Sequence, residues 1–144
     1  MGSEKLYPRV GVGVIILNDN GQILLGKRKG SHGAGEWALA GGAVEFGESI
    51  FETARRETKE ETGLDIEQFT LVAVADELKY IASDDKHFVS IGFLAHYNGG
   101  EPLTMEPDKT EEWKWFDFDH LPDPIFEGSK LVIRNYKDKK IYQI

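Results

Sequence analysis

Residues 9–17 are β-branched or otherwise apolar at almost every position, broken by Gly11 and Gly13. A run that is apolar on both sides suits a strand buried in the middle of a sheet. Asn18-Asp19-Asn20-Gly21 is a strong turn, and residues 22–28 are predicted to pair back as a second strand. Residues 30–35 form a loop of small residues, and residues 37–39 a short strand that enters Gly41-Gly42. Residues 69–80 and 86–97 read as two long strands joined through 82–85. A further strand is predicted at 112–116 and a terminal helix at 129–138, with Leu131, Tyr136 and either Val132 or Ile133 turned inward.

Between these strands lies one helix whose ends are written in the sequence. Ser49 followed by Glu52 is a capping box, and Gly63 suits a left-handed stop, so the helix is predicted over 50–62. At about 100° per residue, Ile50, Phe51, Ala54 and Thr58 form its inward stripe. Glu57 and Glu61 fall at the edge of that stripe, with Glu60 roughly 60° beyond Glu57. Glu52 and Arg56 lie on the opposite side, as a solvent-exposed pair would. Strands on both sides of one helix, plus a terminal helix, predict helices on both faces of a mixed sheet. That is an α/β class fold, read as a single domain over 1–144.

The three acids change the picture. Like charges one turn apart repel, and partial burial strengthens the repulsion. A hard divalent cation removes the penalty, since Mg²⁺ and Mn²⁺ take carboxylate oxygens. A cation held by carboxylates beside a glycine loop suits cleavage of a diphosphate.

Gly42, Glu48, Arg56-Glu57, Glu60-Glu61 and Gly63 stand at the spacing of the Nudix box, and the chain resembles the Nudix hydrolases. Over about residues 9–126 it is similar to their MutT-like nucleoside triphosphate diphosphatase branch. The segments Leu24 to Ser31, Leu39 to Gly42, Val44 to Glu48 and Glu112 to Trp115 carry that likeness. Two positions depart from the pattern: Ala40 stands where a proline is usual, and Thr58 where an aliphatic residue is usual.

The resemblance implies a Nudix α/β/α sandwich. It implies Mg²⁺ as cofactor, with Mn²⁺ able to substitute, held by Glu57, Glu60, Glu61 and the Gly42 carbonyl. Glu57 or Glu60 would also serve as base toward the attacking water. It implies an orienting ion pair of Arg56 with Glu48, and a distal acid, Glu112 in preference to Glu111. Lys27 and Arg28 are candidates for the outer phosphates. Trp37 and Phe88 are the favoured candidates for stacking on a nucleobase, with Trp113, Trp115 and Phe126 as further aromatics.

Composition narrows the partners. Net charge is −8, from 17 basic and 25 acidic residues. That argues against a nucleic-acid polymer as ligand, which needs a basic surface, and leaves a nucleotide small molecule. There is no cysteine, hence neither a disulfide framework nor a thiolate zinc site. No apolar run approaches the about 20 residues of a membrane span, and no signal-peptide pattern opens the chain. A cytoplasmic protein is the expectation, and the resemblance is compatible with a homodimer.

Three activities fit these residues. The first is hydrolysis of nucleoside triphosphates or other nucleoside diphosphate-X compounds, with nucleotide-pool sanitation as the role the resemblance implies. The second is an ADP-ribose or nucleotide-sugar diphosphatase. The third, a catalytically silent nucleotide-binding module, would have no physical need to keep clustered acids.

Overall fold

A computed structural model describes residues 5–30 and 32–144; the start of the chain and Ser31 lie outside the described residues. Among the described residues, seven strands and three helices follow in the order β1 (Arg9–Leu17), β2 (Gln22–Arg28), β3 (Trp37–Ala38), β4 (Ala40–Ala43), α1 (Ile50–Thr62), β5 (Thr70–Glu77), α2 (Ile81–Asp84), β6 (Phe88–His96), β7 (Thr110–Asp117) and α3 (Glu127–Asp138).

The sheet is mixed. β1 runs parallel to β6 along its whole length, from Arg9 opposite Phe88 to Leu17 opposite His96. β5 is antiparallel to β6, and β4 antiparallel to the first half of β1. β2 pairs with β1 only at the hairpin end, Leu17 opposite Ile23, and spends most of its length against β7. The expected hairpin is therefore short. Its turn is held by Asn18 Oδ1, which accepts from the amides of Asn20 (3.0 Å) and Gln22 (2.9 Å).

Two core clusters lie on opposite faces. One joins Val12, Val14, Ile16 and Leu24 to Ala54, Leu64 and Ile66, on the α1 side. The other joins Ile15, Ile23, Leu25 and Leu39 to Val132 and Ile133, on the α3 side. This is the expected α/β/α layering. Alternation along β1 and β2 sends successive side chains to opposite layers. Within α3, Val132 and Ile133 are both buried, and so is Asn135, which the apolar pattern did not reveal. Asn135 Nδ2 donates to the carbonyls of Val74 (3.1 Å) and Ile141 (3.0 Å), tying the chain end to β5.

Three expectations are corrected. Gly41-Gly42 is not in a loop but in β4, opposite Gly13 and Val12. A Cβ on Gly41 would overlap the Val12 carbonyl, so close approach rather than an unusual φ requires glycine there. The segment 82–85 is part of a short helix, α2, and cuts both flanking strands back to Glu77 and Phe88.

The third correction concerns the inward stripe of α1. Both caps form as expected: Glu52 N donates to Ser49 Oγ (3.1 Å), Ser49 N to Glu52 Oε1 (3.2 Å), and Gly63 has φ 76°. Yet Ile50 and Phe51 are 36 % and 40 % exposed, whereas Thr53, Ala54, Thr58 and Thr62 are buried. α1 packs chiefly on β4, whose Ala-Gly-Gly-Ala surface leaves room only for small side chains. The helix comes close, and its bulky first residues fall outside the contact. Thr58 is fully buried, and its hydroxyl has no hydrogen-bond partner among the described residues. Thr58→Val is expected to raise stability by about 1 kcal/mol, because it removes an unsatisfied buried polar atom at constant shape. A urea melt that shows no gain would mean the hydroxyl has found a partner.

Candidate active site

The close approach of α1 to β4 sets the site. A Cβ on Gly42 would strike the Glu57 carboxylate, so glycine here is the seat on which that carboxylate rests. The neighbouring amide, Gly41 N, donates to Glu61 Oε2 at 2.9 Å. Two acids of α1 are thus docked on two consecutive glycines of one strand.

Arg56 organises the others. Its Nε and Nη2 donate to the two oxygens of Glu48, at 2.7 and 3.0 Å, a bidentate fork. Its Nη1 donates to Glu57 Oε1 (2.5 Å) and to Glu60 Oε2 (3.1 Å). The expected Glu48–Arg56 pair is present. Reading Arg56 as a solvent-side partner of Glu52 is corrected, since Glu52 is used in the cap and Arg56 turns toward the glycine strand. Glu48 also accepts from the Thr53 hydroxyl (2.6 Å). The Arg56 guanidinium, then Thr53, hold the Glu48 carboxyl well below its ordinary range, at about 2. The same contact with Glu48 raises Arg56.

Glu57 and Glu61 move the other way. Burial raises both. For Glu57 the pair with Arg56 opposes that shift. Among the described residues Glu61 has no ion-pair partner at contact distance. Burial above all raises it, to about 8, with the charges of Glu57 and Glu106 adding to the rise and the Gly41 amide and the Lys109 charge opposing it.

Glu106 was missed in the sequence. It lies on the loop before β7, which folds back over the end of α1: Leu103 N donates to the Thr62 carbonyl (2.9 Å) and Met105 N to that of Glu61 (3.2 Å). Glu112, the expected distal acid, stands exposed on β7, and its side chain makes no ion pair or hydrogen bond among the described residues. Glu111 pairs instead with Lys27 (3.5 Å). The distal acid whose charge reaches Glu57 and Glu61 is Glu106, because the loop and not the strand crosses α1. A strand register alone carries no signal for this.

Among the described residues, no three Asp, Glu, His or Cys side chains converge tightly enough to form a ready-made metal cage; Arg56 stands between Glu57 and Glu60. The donor set nevertheless fits a hard cation. It is all carboxylate, it includes a buried acid pressed by two like charges, and the Gly42 seat would be filled by any side chain.

On the other side of β4 a cavity of about 250 Å³ is lined by Gly41 and Gly42, and further along by Arg28, Glu77, Phe88 and Phe126. Phe88, one of the two favoured stacking candidates, lines this cavity. Trp37 does not line it: it packs edge-on against Phe116 in the α3-side core, ring centroids 4.9 Å apart. Its carbonyl accepts from Phe126 N (2.8 Å), so it positions the aromatic that does line the cavity. Trp113 and Trp115 pack against the α1-side core. Arg28 is the second candidate for the outer phosphates. It lines the cavity, its guanidinium 4.1 Å from the Phe126 ring centre and donating to the His32 carbonyl. Lys27, held by Glu111, is partly exposed at the end of β2.

A sandwich of this topology, with a glycine strand clasped by an acid-bearing helix, defines a class, and comparison with known proteins names it. The NUDIX domain matches residues 7–136, and the chain belongs to the Nudix family of hydrolases. An ADP-ribose pyrophosphatase of Methanocaldococcus jannaschii is 39 % identical over 131 residues, which cover 88 % of this chain and 72 % of that protein. The NAD-capped RNA hydrolase NudC of Stutzerimonas stutzeri is 35 % identical over 119 residues, 81 % of this chain but 40 % of that protein, so the chain spans less than half of it. The crystal structure of a MutT NUDIX hydrolase from Burkholderia pseudomallei superposes with a TM-score of 0.83 at 40 % identity, covering 90 % of this chain and 98 % of the other. Nudix hydrolases act on nucleoside diphosphate-linked compounds and generally need a divalent metal, usually Mg²⁺. No helix among the described residues is long and apolar enough to cross a membrane.

Proposed function

We propose that this chain is a Mg²⁺-dependent diphosphatase of nucleoside triphosphates and other nucleoside diphosphate-X compounds. One observation carries the reading: Gly41-Gly42 touches the α1 acids on one side and lines the cavity on the other. A substrate whose base enters the cavity brings its phosphates to those acids. The cavity is below the roughly 300–1,000 Å³ of pockets that hold a drug-sized ligand, so it suits one ring system rather than a whole dinucleotide.

Glu57, Glu60, Glu61 and the Gly42 carbonyl would hold the metal, with Glu106 in the place first given to Glu112. The metal, when bound, neutralises phosphate charge and acidifies water. The chain's own residues do the positioning. Arg56 fixes Glu48 and orients Glu57 and Glu60, and the Gly41 amide fixes Glu61. Glu57 or Glu60 takes the proton from a water that attacks one phosphorus. The bond from that phosphorus to the bridging oxygen breaks. A nucleoside triphosphate would give the monophosphate and diphosphate, and a nucleoside diphosphate-X would give the monophosphate and phosphate-X.

A second reading, an ADP-ribose or nucleotide-sugar diphosphatase, is favoured by the name of the archaeal relative. A screen with Mg²⁺ separates them. Diphosphate released from a triphosphate supports the first reading, and monophosphate released only from ADP-ribose or a nucleotide sugar supports the second. Nucleotide binding without turnover of either class would point to a silent module. Chelation with EDTA is expected to abolish turnover and Mg²⁺ to restore it; activity that survives exhaustive chelation would overturn the metal assignment.

A further inference from the structure

Glu77 ends β5 with a carboxylate only 5 % exposed, yet it lines the cavity and none of the phosphate chemistry uses it. Its one hydrogen bond among the described residues is a long one, from the Ser90 hydroxyl to Oε2 at 3.4 Å. A carboxylate offers about four acceptor sites, so most of its capacity is unspent. Burying a charge with so few partners is costly, and burial accordingly raises the Glu77 carboxyl above its ordinary range, with Glu127 adding to the shift and Arg28 opposing it.

The surroundings keep this carboxylate free. A Cβ on Gly128 would lie 2.9 Å from Glu77 Oε2, so the first turn of α3 leaves a space that any other residue would close. That helix has no side-chain cap on its N-terminus, whose dipole favours a nearby anion. Phe88 and Phe126 line the same cavity, the latter backed by the Arg28 guanidinium. The cavity thus brings together two aromatic rings, the Arg28 guanidinium and an acid with unspent acceptor capacity.

We propose that Glu77 is a specificity-determining residue that reads the hydrogen-bonding edge of the nucleobase and selects a guanine-type edge. The reasoning is one of matching donors to acceptors. A carboxylate accepts only. Guanine presents two adjacent donors, the ring N1–H and the 2-amino group. Adenine and cytosine present one amino group beside an acceptor nitrogen. Uracil presents one N–H between two carbonyls, which a carboxylate repels. The inference rests on the cavity being the base site of the proposed hydrolase.

Two measurements test it. The first is wild-type binding of GMP against IMP by calorimetry without metal; the two differ only in the 2-amino group and carry no phosphate anhydride. GMP is expected to bind at least about 10-fold more tightly, the discrimination typical of a paired against an unpaired polar edge. The second is kcat/KM with Mg²⁺ for GTP, ITP and ATP in wild type and in Glu77→Gln, whose amide donates and accepts and so matches an adenine edge. The variant is expected to lose about 10-fold on GTP and to gain on ATP relative to GTP.

Equal binding of GMP and IMP by the wild type overturns the proposal, and needs no variant that could misfold. Hydrolysis of GTP and ITP at equal kcat/KM overturns it as well and leaves the hydrolase reading standing. A GMP preference lost in Glu77→Gln, with no turnover of any nucleotide, sustains the base assignment and overturns the hydrolase reading.

Discussion

Glu60→Gln is expected to lower kcat at least about 100-fold while leaving the fold intact. The two halves of that expectation come from different observations. Glu60 is half-exposed, and its only partner among the described residues is the Arg56 guanidinium, which already holds Glu48 and Glu57. Such a surface pair contributes at most about 1 kcal/mol to stability. Its removal also relieves Glu57, which feels the Glu60 charge as repulsion. Melting temperature should therefore stay level or rise. Turnover should fall because a carboxylate taken from a cation at a phosphoryl centre removes roughly 3 kcal/mol of transition-state stabilisation, about two orders of magnitude in rate. A structural role would give the opposite pattern, a change in melting with the rate preserved. A Glu60→Gln protein with near-normal kcat would overturn the assignment of Glu60 to the metal.

The same residue shows what can be read from letters alone. The caps of α1 are local: Ser49, Glu52 and Gly63 act on backbone groups three or four residues away, so the helix ends followed from the sequence. The unbroken apolar run of β1 and the long runs of β5 and β6 are likewise local, and with the capped helix they led to the layered fold. The face on which α1 rests was not legible. A helical wheel ranks residues by polarity, and Ile50 and Phe51 outrank three threonines. The strand beneath is Ala-Gly-Gly-Ala, so size decided and polarity did not. The sequence could have signalled this only if Gly41-Gly42 had been read as a strand under a helix.

Glu106 and Glu77 failed to show for another reason. Each reaches its neighbours through contacts between segments distant in the chain: the loop crossing α1, and β5 meeting the first turn of α3. Arg28 was placed by its position at a strand end and Trp37 by its ring, and neither fixes the layer a side chain enters or the cavity it borders. The acids were legible as a cluster because i,i+3 and i,i+4 spacing is itself a contact. The cavity is lined from six strands and α3, and no spacing records it.

Metal-free protein is expected to lose stability as pH rises from about 4.5 to about 8, and Glu61→Gln is expected to flatten that slope. The Glu61 carboxyl sits at about 8 in the folded state, against an ordinary 4.5. Below 4.5 both folded and unfolded chains hold the proton, and Glu61 has no effect on the balance. Between the two values the unfolded chain gives up its proton and the folded chain keeps it, so each step in pH favours unfolding. Above 8 both are ionised and the penalty is complete. At about 1.4 kcal/mol per pH unit the ceiling is near 5 kcal/mol, and relaxation of a buried site brings a measured value to the order of 2–3 kcal/mol. Glu57 and Glu77, both raised by burial, slope the same way and survive in the variant, so the difference between the two proteins isolates Glu61. Glu48 runs in the opposite sense: held at about 2 by Arg56, it stabilises the fold above its ordinary value and loses that effect as pH falls toward 2. Stability without metal should thus peak near pH 4–5. Saturating Mg²⁺ acts where Glu61 is ionised, and at 100 times its Kd adds about 2.7 kcal/mol. Urea melts at pH 5, 7 and 9, with Mg²⁺ and with EDTA, separate the contributions. A wild-type curve that is flat in EDTA would mean that Glu61 is not the buried, cation-seeking acid its place on Gly41 makes it.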